Sequence, residues 1–163
     1  MQSPKGSRWF RCGPTVGFLL AALGGCALPP PVSAAQMPPV PPGMARVWFY
    51  REDAPYISQA RPYVRLNGAV IGISEDGGAF YRDVPPGQYY VTVDSYGVDI
   101  NQFPHVVLTP GETMYFQIIG SRYWASGGSG RDDWTRPTFY LWVEPAEVAG
   151  PAIDRSHFYP NAG

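Results

Sequence analysis

The stretch Tyr63-Val-Arg-Leu-Asn-Gly-Ala-Val-Ile-Gly-Ile73 decides the fold. Two short apolar runs flank Asn67-Gly68, and both turn residues tolerate positive φ, as a two-residue hairpin turn requires. The same grammar repeats outward. Arg46-Val-Trp-Phe-Tyr-Arg51 is a strand upstream. Ala79-Phe-Tyr-Arg-Asp-Val84 leads through Pro85-Pro86-Gly87 into Gln88-Tyr-Tyr-Val-Thr-Val-Asp94. Proline fixes φ and glycine supplies the reversed dihedral that such turns need. His105-Val-Val-Leu108 follows, then Pro110-Gly111 turns into residues 112–119, and residues 138–144 form the last strand. About eight short strands with a turn signal roughly every ten residues predict an all-β fold, an antiparallel β-sandwich. No segment holds a 3.6-residue apolar period, so a βαβ fold has no helices to use. Residues 144–148 are expected to form at most one short helical turn, ended by Gly150 and Pro151.

Composition narrows the function classes. The 163 residues carry 12 Lys+Arg, 13 Asp+Glu and a formal charge of -1, so no excess of positive charge exists to neutralise nucleic-acid phosphates. At 45% hydrophobic and 15% aromatic the chain is not disordered throughout. Two cysteines exclude a disulfide-stapled miniprotein.

The N-terminus reads as an export signal. Lys5, Arg8 and Arg11 precede the uncharged stretch from Gly13 to Gly25. That stretch is too short for a membrane span, which needs about 20 residues, and fits a secretory signal. Leu23-Gly24-Gly25-Cys26 resembles the bacterial lipobox, with Leu23, Gly24 and Gly25 as the signal-peptidase recognition residues and Cys26 as the lipid attachment point. A thiol serves there because sulfur is the nucleophile that accepts the diacylglyceryl group. Cleavage after Ala34 or Ala35 in an ordinary secreted protein is the alternative. The lipidated chain would hold 9 arginines against 13 acids and attach through acyl chains such as palmitate rather than by charge. The expected divisions are residues 1–25 as signal, 26–44 as a lipidated Pro-rich tether and 45–163 as the sandwich. Seven prolines in the fourteen positions from Pro29 to Pro42 make a polyproline II spacer, which would hold the domain about 40 Å from its lipid. A PxxP-type ligand is the weaker alternative.

The succession Val47-Trp-Phe-Tyr-Arg51, Val64-Arg-Leu-Asn-Gly-Ala-Val-Ile-Gly72, Phe80-Tyr81, Val84-Pro-Pro-Gly-Gln-Tyr89 and Leu108-Thr-Pro-Gly-Glu112 before Tyr115-Phe116 resembles domain-of-unknown-function family 2846. The resemblance covers about residues 44 to 150. It implies a small exported bacterial protein, often a lipoprotein, and carries over no catalytic residue. The same turn-and-strand grammar also resembles PEGA and transthyretin-like surface domains.

Catalytic motifs are missing. Neither His105 nor His157 sits in an HExxH context, and no GxSxG, phosphate loop or dinucleotide fingerprint occurs. Glu75-Asp76-Gly77 and Asp132-Asp133 lack EF-hand spacing and read as solvated turns. No cofactor or metal is expected. Two features are less bland. Aromatic residues occupy alternate faces of several strands, either as cross-strand packing or as an exposed platform. In addition, Gly120 to Pro137 reads as a long Gly-rich loop carrying Arg122, Tyr123, Trp124, Arg131 and Trp134, residue types that favour binding hot spots. The expectation is a non-catalytic lipoprotein of the bacterial cell envelope, at the outer membrane and facing the periplasm, with the membrane and an envelope protein as partners. A glycan or peptidoglycan module using residues 120–137 is the alternative.

Overall fold

The computed structural model describes residues 29–32, 37–96, 104–125 and 134–160. In chain order the elements are β1 (Ala45–Tyr50), β2 (Tyr63–Leu66), β3 (Ala69–Ile73), β4 (Gly78–Val84), β5 (Gly87–Val93), β6 (His105–Leu108), β7 (Thr113–Ala125), β8 (Trp134–Glu144), α1 (Ala146–Arg155) and β9 (His157–Phe158). The strands form a β-sandwich of two sheets, ordered β8-β7-β1-β4-β9 and β3-β2-β5-β6. The hairpin turn takes the expected form: Asn67 and Gly68 both have positive φ, at 50 and 83 degrees.

Side-chain alternation builds the space between the sheets. Val47 and Phe49 of β1, Phe116 and Ile118 of β7, and Phe139 and Leu141 of β8 face Val64 and Leu66 of β2, Val91 and Val93 of β5, and Leu108 of β6. Phe49 lies in register with both Phe80 and Phe116, with ring centroids 5.1 and 5.4 Å away, so three strands share one aromatic stack. The opposite face of the five-stranded sheet is also covered. Trp48 and Tyr50 pack beneath Ala149, Ala152 and Ile153 of α1. Every residue of β1 is therefore buried. The aromatic residues on both faces of this strand are packing, with α1 as the second layer.

Three local expectations are corrected. The five-stranded sheet is mixed rather than antiparallel: β1 pairs parallel with β7, and β4 parallel with β9. Only a short turn forces antiparallel pairing. Between β1 and β7 the chain crosses to the other sheet and returns, so that constraint is lifted. Second, α1 runs ten residues through Gly150 and Pro151. Glycine before proline removes the Cβ that would meet the proline ring, and burial of Ala149, Ala152 and Ile153 offsets one lost hydrogen bond. Third, the described part of the tether is not a free spacer. Val32 is buried beside Trp48 and α1, with Met37 packed against the same cluster.

Candidate functional site

Residues 120–137 are not one long loop. β7 and β8 pair without a break from Tyr115↔Glu144 to Ala125↔Trp134. β1 ends its pairing with β7 at Tyr50↔Gln117. The eight residues from Ile118 to Ala125 therefore extend beyond β1 with β8 as partner, a two-stranded arm of about 26 Å whose base, with Ile118, Phe139 and Leu141, still belongs to the inter-sheet core. Thr, Tyr and Trp favour extended backbone, which suits continued pairing of β7 with β8 here.

The arm separates the expected binding residues. Directly paired residues of antiparallel strands share a face. The register Tyr123↔Arg136 and Ala125↔Trp134 thus puts positions 123 and 134 on one face of the ribbon. Positions 122 and 124, opposite Pro137 and Thr135, fall on the other. Arg131 lies outside the described residues, as do Asp132, Asp133, Leu23, Gly24, Gly25 and Cys26.

Below the arm, the segment between β1 and β2 is held by Arg51. Its guanidinium is buried, donates from Nη1 to the Ala60 carbonyl at 2.8 Å and from Nη2 to the Ser58 carbonyl, and lies 3.2 Å from Asp76. It also sits over the Phe139 ring, 4.9 Å from the centroid. Burial pushes Arg51 below its ordinary value against the attraction of Asp76 and Glu75. Burial likewise raises the Asp76 carboxyl, opposed by the Ala54 amide and Arg51. The bonds from Arg51 to the Ser58 and Ala60 carbonyls fix the path of this segment. Glu75 is engaged by Arg61, whose Nε donates to Oε1 at 2.7 Å. Glu75 and Asp76, expected in a solvated turn, therefore each meet an arginine. Among the described residues no group of three His, Cys, Asp or Glu side chains could hold a metal ion.

An open cleft of about 550 Å³ follows, lined by Glu52, Asp53, Asp76, Arg155, His157 and Tyr159. His157 and Phe158 form a contact that sequence reading missed. His157 Nδ1 lies 2.8 Å from the Pro29 carbonyl, the Val32 amide donates to the Ser156 carbonyl at 2.8 Å, and the Phe158 amide donates to the Pro30 carbonyl at 2.9 Å. Pro29–Val32 so adds an antiparallel stretch beyond β9, with Pro31 opposite His157. A proline-rich segment carries little strand signal, and only apolar Val32 hinted at burial. The other histidine, His105, is exposed and stands 5.1 Å from the Tyr90 ring.

Among the described residues no helix is long and apolar enough to cross a membrane. Comparison of the chain with known protein families, curated proteins and solved structures finds no match.

Proposed function

We propose that this chain is a non-catalytic, lipid-anchored protein of the bacterial cell envelope, of the kind family 2846 contains, and that it offers the β7–β8 arm to a protein partner. The arm carries the reading: β7 and β8 stay paired out to Ala125↔Trp134, beyond the end of β1's pairing at Gln117. Cys26 in Leu23-Gly24-Gly25-Cys26 supplies the attachment, with the domain on the periplasmic side of the outer membrane. A photocrosslinking residue at position 123 or 124, introduced in native envelopes, should give a discrete protein adduct. The same group at exposed Val107, on the other sheet, should not. No adduct at either arm position would overturn the reading.

A glycan-binding reading draws on one specific observation, the common face of Tyr123 and Trp134. Under it, muropeptides would change tryptophan fluorescence in the protein and not in Trp134→Ala. No response at millimolar ligand counts against it.

A further inference from the structure

Resting on the reading that Cys26 is lipidated, we infer that the sandwich does not stand off on a stalk but lies with its β9 edge against the bilayer. The docked tether carries this. Pro29–Val32 is hydrogen-bonded along β9, and Val32 is buried at 3% exposure between β1 and α1. Only three residue steps separate Cys26 from Pro29. Fully extended, they reach at most about 11 Å. A chain free along its whole tether would reach several times farther. Once Pro29 is held, the lipid's glyceryl group is confined to the neighbourhood of His157 and Phe158.

The surface there suits a lipid interface. Pro30, Ile73, Phe158 and Tyr159 line an open cleft of about 440 Å³, with Glu75 and the exposed guanidinium of Arg61 that pairs it at the rim. An apolar hollow whose rim acid is neutralised by an arginine suits the boundary between headgroups and acyl chains. The acidic balance of the mature chain gives no long-range attraction to anionic lipid, so the short leash must supply the encounter. The occupant of this cleft is thus the membrane that holds the protein's own anchor.

The test uses the full lipidated chain in vesicles of phosphatidylethanolamine and phosphatidylglycerol containing doxyl-labelled lipid. A fluorophore is placed on Pro160→Cys, beside the cleft, or on Trp142→Cys in β8, at the opposite edge of the same sheet. Four strand spacings, about 19 Å, separate those edges. The Pro160 probe should be quenched several-fold more than the Trp142 probe. A flexible Gly-Ser insertion of about ten residues between Ala27 and Leu28 leaves the docking intact and should bring the two probes close together in quenching. Equal, weak quenching of both probes without the insertion, on protein whose mass shows diacylglyceryl on Cys26, overturns membrane docking and leaves the anchor standing. A mass without lipid on Cys26 overturns both.

Discussion

Arg46 ties three parts of the molecule with one guanidinium. It grips Asp83 of β4 through Nε and Nη2 at 2.7 and 2.9 Å, donates from Nη1 to the Pro38 carbonyl at 2.7 Å, and lies 4.0 Å over the Tyr81 ring. The bond to Asp83 raises its pKa further, against burial. Arg46→Ala should lower the free energy of unfolding by about 2–3 kcal/mol in urea denaturation, and Arg46→Lys should recover little, because an ammonium lacks the fork. Gly78 is confined by its neighbours: a Cβ would stand 2.9 Å from Glu75 Cβ and 3.0 Å from the Tyr159 ring. Gly78→Ala should therefore cost about 1–3 kcal/mol, with backbone movement next to β9 visible as faster amide exchange at His157. At Tyr50, burial pushes the phenol up to about 12, helped by Glu144 and Glu52. The unfolded phenol ionises near its ordinary value while the folded one holds its proton, so stability is full below about pH 10 and falls as pH rises toward about 12. Tyr159 shifts in the same direction. Tyr50→Phe should remove on the order of 2 kcal/mol of that alkaline loss, read by denaturation on either side of the window.

The β7–β8 arm can be tested apart from the sandwich. Among the described side chains, those of these strands in the inter-sheet cluster are Phe116, Ile118, Phe139 and Leu141, all inside the Ser121↔Thr138 pair. Replacing residues 122–137 by Asn-Gly, joining Ser121 to Thr138, should leave the melting temperature within a few degrees and abolish co-purification of the partner that the full chain crosslinks. A collapse in melting temperature would show the arm to be structural instead. Elements differ in how legible they were. The β2–β3 hairpin is written locally, in a two-residue turn that only a few residue types satisfy. The cores of β1, β4, β5 and β6 show period-two or apolar runs and were read within a residue or so. For the arm, Gly127, Gly128 and Gly130 suggest a loop, whereas the pairing that extends β7 and β8 is a cross-strand property. For α1, Pro151 carries a strong local stop, and the opposing packing against Trp48 and Tyr50 is tertiary. β9 has two residues and no pattern at all. Of the candidate site, residue types were legible and their division between two faces was not, since that follows from register.

Taken whole, the molecule closes at β9, where the beginning and end of the described chain meet. A chain beginning at Met37 would lose Val32 from the cluster under α1 and the hydrogen bonds that line Pro29–Val32 along β9. It should be less stable than one beginning at Leu28 by about 2 kcal/mol, with exchange protection lost first in α1 and β9. Equal stability of the two chains would mean that the docked segment contributes nothing to the fold. The same contact also orders events in time. Pro29 and the histidine that meets its carbonyl are 128 residues apart in sequence. During synthesis Pro29–Val32 emerges first, and the strand that receives it is made more than a hundred residues later. Any enzyme that cuts or modifies the chain ahead of Pro29 while it is still emerging therefore meets an open, unpaired segment. Docking comes afterwards, as the step that withdraws that segment from further processing.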